Sequence, residues 1–331
     1  MARKVLFIRF SSIGDIVLTS PVLRSLATVE PDTQIHYLTK PAFASILQSN
    51  PHIHKVHTLK PKLVETIQEL KEEKFDLILD LHHNLRTSIV KTFLGVKSYA
   101  FPKGNWEKYK MVKWKKRDIK LPHVVDRYAE VLKPLGISLD GKGLDFFISP
   151  GEQEKAHAFL QENDFQAYLD SFIAIVIGAK HFTKRWPNEQ VIKLIREIHQ
   201  PVILIGGKSE MEDAGQIMKA VKGPILSAVG TTNLQVSAAL LEKAQLVVTP
   251  DTGMMHIAAA LQKPIVSIWG NTVPEFGMYP YKTEHEVLEV KDLACRPCSK
   301  IGFDRCPKGH FTCMAGNTPE KVQAAVEKLV S

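Results

Sequence analysis

The chain has 331 residues, 43 Lys and Arg against 35 Asp and Glu, and a formal net charge of +8 at pH 7. Its 44% hydrophobic and 24% charged content is that of a folded globular protein too long for one ordinary core, so two domains are expected. No apolar run approaches the ~20 residues of a membrane span, and the short apolar start is broken by Arg9, unlike a secretory signal, so the expectation is a cytoplasmic protein with no transmembrane segment.

Residues 5–10 read as a first strand. It hands over at Gly14-Asp15 to a helix that restarts at Ser20-Pro21, where Ser is a good cap and Pro suits a first turn. Strands follow at 35–38 and 56–59, then a helix at 61–73, a buried strand at 77–81 and a helix at 84–94. This alternation argues a parallel, helix-covered sheet. It pauses at 103–120, a stretch dense in Lys with Trp106, Tyr109 and Trp114 interleaved. A helix at 124–135 comes next. Ile148-Ser149-Pro150-Gly151 marks a boundary, giving domains of 1–150 and 151–331.

The second half restarts the alternation. It has a helix at 152–162, a strand at 172–177, a helix at 188–198 and a strand at 202–205. Helices at about 210–221 and 234–242 follow, then a strand at 246–249, a helix at 254–261, a strand at 265–269 and an amphipathic helix at 318–330. The simplest architecture is α/β: two doubly wound domains with a cleft between their strand C-termini.

The positive balance favours an anionic partner, whether nucleic acid, a phospholipid surface or a phosphorylated substrate. Four segments carry candidate chemistry. Asp15 sits where the first strand meets its helix, and either caps that helix or serves as a base facing the cleft. Lys184-Arg185 follows a strand end and is either a phosphate-neutralising pair or a solvated basic loop. Gly206-Gly207-Lys208-Ser209 lacks the first glycine of a Walker site, so its glycines serve close ligand approach, with Glu210 or Glu212 available for ribose hydroxyls. Pro250-Asp251-Thr252-Gly253 opens a helix after a strand, aiming free amides and the positive helix end at one spot. That unit is read equally as a phosphate site or as an ordinary capped βαβ turn.

Three absences narrow the chemistry. No Gly-x-Gly-x-x-Gly follows the first strand, against a nicotinamide dehydrogenase. No His-Glu-x-x-His and no Asp-x-Asp metal clamp is present, so any diphosphate is neutralised by Lys, Arg and helix ends. The four cysteines, Cys295, Cys298, Cys306 and Cys313, read as reduced, packed thiols in a cytosolic chain. A tetrahedral zinc, with His310 able to join, is the alternative.

Together these segments resemble the family 9 glycosyltransferases, the ADP-heptose:lipopolysaccharide heptosyltransferases. The resemblance rests on Phe-Ser-Ser-Ile-Gly-Asp-Ile-Val-Leu-Thr-Ser-Pro near the N-terminus and Lys-Arg-Trp-Pro at 184–187. It continues with Gly-Gly-x-x-Glu-x-Glu at 206–212, then Thr-Pro-Asp-Thr-Gly-Met-Met-His and Ala-Ala-Ala-Leu within 249–261. It implies two Rossmann-like domains in the GT-B arrangement, the acceptor held by the first and the nucleotide-sugar by the second. It also implies inverting, metal-independent transfer. Asp15, next to Gly14, then looks like the general base and Lys184 the cation on the departing ADP phosphates. Asp251, Thr252 and Gly253 would present amides to the same phosphates, with Asp251 orienting them. His256 would add a hydrogen bond, Lys180 a phosphate contact, and Glu212, with Glu210 as competitor, a ribose contact near Gly207. The donor would be ADP-heptose or a related nucleotide-sugar, with no bound cofactor or catalytic metal. The 103–120 stretch then fits a phosphorylated glycolipid acceptor at the inner membrane surface, rather than nucleic acid or a solvated, partly disordered loop. A non-catalytic binding module on the same fold is the alternative reading.

Overall fold

The computed structural model describes residues 2–330, which cluster into two compact α/β units. The first runs to Lys103 and takes in Pro122–Phe147; the second holds Gly104–Leu121 and the chain from Ile148 onward.

The first unit has five strands, β1 (Lys4–Ile8), β2 (Gln34–Thr39), β3 (Lys55–Thr58), β4 (Leu77–Asp80) and β5 (Ser98–Ala100). All pair in parallel, in the order β3-β2-β1-β4-β5. Helices α1 (Ile13–Val17), α2 (Ser20–Val29), α3 (Leu63–Glu72) and α4 (Leu85–Leu94) connect them. β4 is buried at every position and β1 at all but its first residue, as strands covered on both faces must be. On one face Leu6, Ile8, Leu38 and Ile78 pack against Ile67, Leu70 and Val90 of α3 and α4. Chain order then gives α5 (Asn105–Trp114), which belongs to the second unit, and α6 (Val124–Ala129), which returns to the first. The long helix expected at 124–135 stops at Ala129 and continues only as a turn of 3-10 helix at Lys133–Leu135, where Pro134 removes a backbone donor.

The second unit has a six-stranded parallel sheet. Its strands are β6 (Ile173–Val176), β7 (Val202–Ile205), β8 (Ile225–Ser227), β9 (Leu246–Pro250), β10 (Ile265–Trp269) and β11 (His285–Glu289). They run in the order β11-β10-β9-β6-β7-β8, which is the doubly wound order 3-2-1-4-5-6 read from the far edge. Around it lie α7 (Pro150–Glu162), α8 (Asn188–Glu197), α9 (Met211–Ala220), α10 (Leu234–Glu242), α11 (Gly253–Ala260), α12 (Thr312–Ala315) and α13 (Pro319–Val330). Ser149 caps α7 by accepting from Glu152 N–H at 3.3 Å. The sequence misses β5, β8 and β11. All three are edge strands with partly exposed side chains, so they lack the continuous apolar run that marks β6, β7 and β9.

Residues 104–121, expected inside the first domain, cluster instead with the second unit, and Asn105–Trp114 of them form α5. Met111 is fully buried against Val273 and Phe276. Lys115 Nζ donates to Cys295 O at 3.0 Å and Pro297 O at 2.7 Å. Arg117 bonds the carboxylates of Glu275 and Glu289. One anchored apolar side chain and two fixed cations hold this Lys- and aromatic-rich stretch in place.

Candidate functional site

Strand order reverses beside β1 in the first unit, and open α/β sheets bind ligands at the carboxyl ends next to such a switch point. Asp15 lies there, one turn past β1. Its Oδ2 accepts from Ser12 N–H at 3.1 Å and from Ser12 Oγ–H at 2.7 Å, and its Oδ1 meets Arg9 Nη2 at 2.7 Å. The two readings of Asp15 therefore do not compete: the carboxylate caps α1 while keeping 21% of its side chain exposed. Gly14 is buried within the same helix. Burial pushes the Asp15 carboxyl up, but the Arg9 charge and the Ser12 hydrogen bonds outweigh it and bring it down to about 2. Arg9 is fixed in turn by Ser11 O at 2.8 Å, Leu81 O at 2.6 Å and the face of Tyr128.

His82, just past β4 and absent from the sequence reading, is the other titratable group here. Burial and the nearby Arg9 charge hold its imidazole at about 4, so it is neutral at pH 7. Its ring packs on Phe10, and its Nδ1 is buried with no hydrogen-bond partner among the described residues.

In the second unit the switch point lies between β6 and β9, and the loops after these strands meet. Lys184, from the β6 loop, places Nζ 2.6 Å from Asp251 Oδ2, at the end of β9. Thr272, after β10, donates to the same Oδ2 at 2.8 Å. Asp251 was expected to orient the α11 amides; it instead holds a cation at the mouth of that helix. Thr252 is the α11 N-cap residue, and its hydroxyl lies 3.4 Å from that of Thr249. Gly253 opens the helix, whose first amides lack intrahelical acceptors. Lys184 is thus held beside a positive helix end, a pairing suited to a phosphate. His256 is 2% exposed and sits inside the α11 packing rather than at its mouth.

Thr272 is itself fixed from behind. Arg296, 1% exposed, donates from Nη2 to Thr272 O and to Glu289 Oε2, both at 2.9 Å, and from Nε to Gly270 O. Sequence reasoning missed both residues. Thr272 belongs to no motif, and Arg296 lies between two cysteines that draw attention away from it.

The β7 loop lies on the other side of β6. Glu210 was expected to compete for ribose, but its carboxylate is spent inside the protein. It accepts from Gly207 N–H at 2.9 Å and Ser209 Oγ–H at 2.6 Å and pairs with Arg185 Nη2 at 2.8 Å. A Cβ at Gly178 would lie 2.8 Å from Glu210 Oε2, so the packed carboxylate demands glycine there. Glu212, in the first turn of α9, and Lys180 are exposed.

All four cysteines are free thiols. Burial pushes Cys298 and Cys313 up to about 11, so both are protonated at neutral pH. Cys295 Sγ lies 3.7 Å from His310 Nε2. Among the described residues the four sulfurs do not gather into a set within mutual ligand distance. No helix among those residues is long and apolar enough to cross a membrane.

The family described as glycosyltransferase family 9 (heptosyltransferase) matches residues 63–305. Lipopolysaccharide heptosyltransferase 3 of Escherichia coli K12 is 26% identical over 284 residues, covering 78% of this chain and 80% of that protein. The crystal structure of a family 9 glycosyl transferase from Veillonella parvula superposes with a TM-score of 0.83 at 24% identity, covering 99% of this chain and 97% of that one. E. coli ADP-heptose LPS heptosyltransferase II superposes with a TM-score of 0.75 at 20% identity, covering 99% and 98%. These likenesses show the fold: α/β, with two Rossmann-like domains of the GT-B class.

Proposed function

The chain belongs to glycosyltransferase family 9, and from that premise we propose that it transfers heptose from ADP-heptose to a lipopolysaccharide inner-core acceptor, inverting the anomeric centre without a catalytic metal. The observation that carries this reading is the Lys184–Asp251 pair at the N-terminus of α11, a cation and free amides where a nucleotide diphosphate would sit. In this reading the second unit binds the donor and the first the acceptor. Lys184 and the Thr252-Gly253 amides meet the charge that builds on ADP as its bond to the anomeric carbon breaks. Lys180 adds an exposed cation and Glu212 a ribose contact. Asp15 accepts the hydrogen bond of the acceptor hydroxyl and takes its proton as the oxygen bonds to the anomeric carbon. A carboxylate held at about 2 is fully ionised but a weak base, so proton transfer belongs late in bond formation. Arg9 positions that carboxylate.

The exposed aromatic face of α5 supports an acceptor at an anionic membrane surface. Trp106 stacks on Tyr109 at 5.5 Å, Trp114 closes the cluster, and Lys110 lies over Trp106. Interfacial aromatics among lysines suit lipid head groups. The test of the reading is a thermal-shift panel of ADP-, UDP-, GDP- and CDP-sugars followed by product analysis. Selective stabilisation by ADP-heptose and glycoside formation of inverted configuration are expected. Equal response to all four donors, or a retained configuration, contradicts it.

A further inference from the structure

Where β2 and β3 pair in the first unit, two buried histidines and a glutamate converge. His36 lies on β2, His57 on β3 and Glu73 just past α3. One ligating atom from each lies within 4.8 Å of the others. His36 Nδ1 is 2.9 Å from His57 Nε2, and the Glu73 carboxylate oxygens are 4.0 Å and 3.9 Å from those two nitrogens. We propose that His36 Nδ1, His57 Nε2 and Glu73 form a binding site for a late first-row divalent metal ion, tying β2, β3 and the end of α3 together.

The donor set has the right chemistry. Two imidazoles and a carboxylate suit Zn2+, Co2+ or Ni2+ and disfavour Mg2+ and Ca2+, which take all-oxygen shells. His57 also has an outer partner: its Nδ1 lies 3.2 Å from Glu69 Oε1. A carboxylate on the far nitrogen fixes the His57 tautomer with the proton on Nδ1 and the lone pair on Nε2, the arrangement found on metal-bound histidines; without the ion that lone pair accepts from His36 Nδ1–H, so binding replaces this hydrogen bond and moves the His36 proton to its Nε2. His54, whose ring centre is 5.3 Å from that of His36, is exposed and near enough to offer a fourth ligand after a side-chain rotation.

Two cations oppose the ion. Lys55 Nζ lies 2.5 Å from Glu73 Oε1 and Lys4 Nζ 3.3 Å from Oε2. Lys55 is half-exposed and free to swing into water, so it acts as a competitor that the metal displaces. In this site the ion acts by stabilising the fold of the first unit.

The test is Co2+ titration of the full-length protein, followed by visible absorption. The expected result is a single ion per chain with ligand-field bands and no thiolate charge-transfer band, unchanged in Cys298→Ser. Glu69→Gln weakens binding about tenfold or more. Glu73→Gln and His57→Gln abolish it. Lys55→Ala tightens it, a gain that misfolding does not produce. Absence of binding, a thiolate band alone, or affinity unaltered in both Glu73→Gln and Lys55→Ala overturns the site.

Discussion

Lys184 Nζ stands 2.6 Å from Asp251 Oδ2, joining the loops that leave β6 and β9 on either side of the second unit's switch point. The pair is partly open, with side-chain exposures of 17% and 10%, so an incoming phosphate can share the ammonium without breaking the pair. Removing the cation should act on charge that appears as the leaving group departs. Lys184→Met is expected to lower kcat/KM by about 10²- to 10³-fold, mostly through kcat. Steady-state kinetics with the donor varied checks this; a change confined to KM would assign Lys184 to ground-state binding alone.

Thr272→Val removes the second hydrogen bond to Asp251 while keeping the side chain's shape. Its hydroxyl is buried, and we expect a loss of about 1 kcal/mol in stability together with a smaller loss of donor affinity than Lys184→Met causes. Thermal melts and calorimetric titration with ADP measure both quantities. Equal or greater loss of ADP affinity in Thr272→Val would transfer the phosphate role from Lys184 to Thr272.

The Arg9–Asp15 pair makes a pH prediction. The folded carboxyl is depressed from 3.8 to about 2, so its stabilising contribution is full above the unfolded value and is lost as pH falls through the folded one. The difference corresponds to about 2 kcal/mol. In Arg9→Gln, burial without the guanidinium raises the carboxyl again. The stability gap between wild type and variant should therefore narrow as pH drops from about 5 towards 2, and the acid limb of kcat/KM should move to higher pH. Denaturant melts and rate profiles across that range are the check, and parallel curves for the two proteins would count against the pairing.

Gly178→Ala tests the internal role of Glu210. The added methyl would crowd Glu210 Oε2, which also holds the Gly207 amide, so both loops must shift. We expect destabilisation of about 1–3 kcal/mol by overpacking. Removing the carboxylate in Gly178→Ala/Glu210→Ala should relieve the clash, leaving a combined cost below the sum of the singles.

On α5, the aromatic face is predicted to bind membrane. Trp106→Ser/Tyr109→Ser/Trp114→Ser alters only side chains that are 56%, 42% and 51% exposed, so the melting temperature should stay close to wild type. Co-sedimentation with anionic vesicles should fall several-fold, and the wild-type binding should weaken with salt. Undiminished sedimentation of the triple variant would move the membrane contact elsewhere.

The parallel cores were legible because β6, β7 and β9 are unbroken apolar runs followed by helical periodicity. Motif residues at strand ends were legible for the same reason: the carboxyl edge of a parallel sheet is where a short polar turn follows such a run. What escaped reading depends on partners distant in sequence. Arg9 stands in the same motif as Asp15, but its hold on the carboxylate comes from Leu81 and Tyr128. Glu210 looked available because its partner Arg185 lies 25 positions earlier. His36 meets His57 only because β2 and β3 pair with His36 opposite Lys55. The helix α5 was hidden because its one buried anchor, Met111, sits among lysines and aromatics that face outward.

The most direct measurement combines calorimetric binding of ADP-heptose with turnover for Asp15→Ala. If Asp15 takes the acceptor proton and the second unit holds the donor, the variant binds donor nearly as tightly as wild type and loses about 10²- to 10⁴-fold in turnover. Turnover close to wild type would contradict the account.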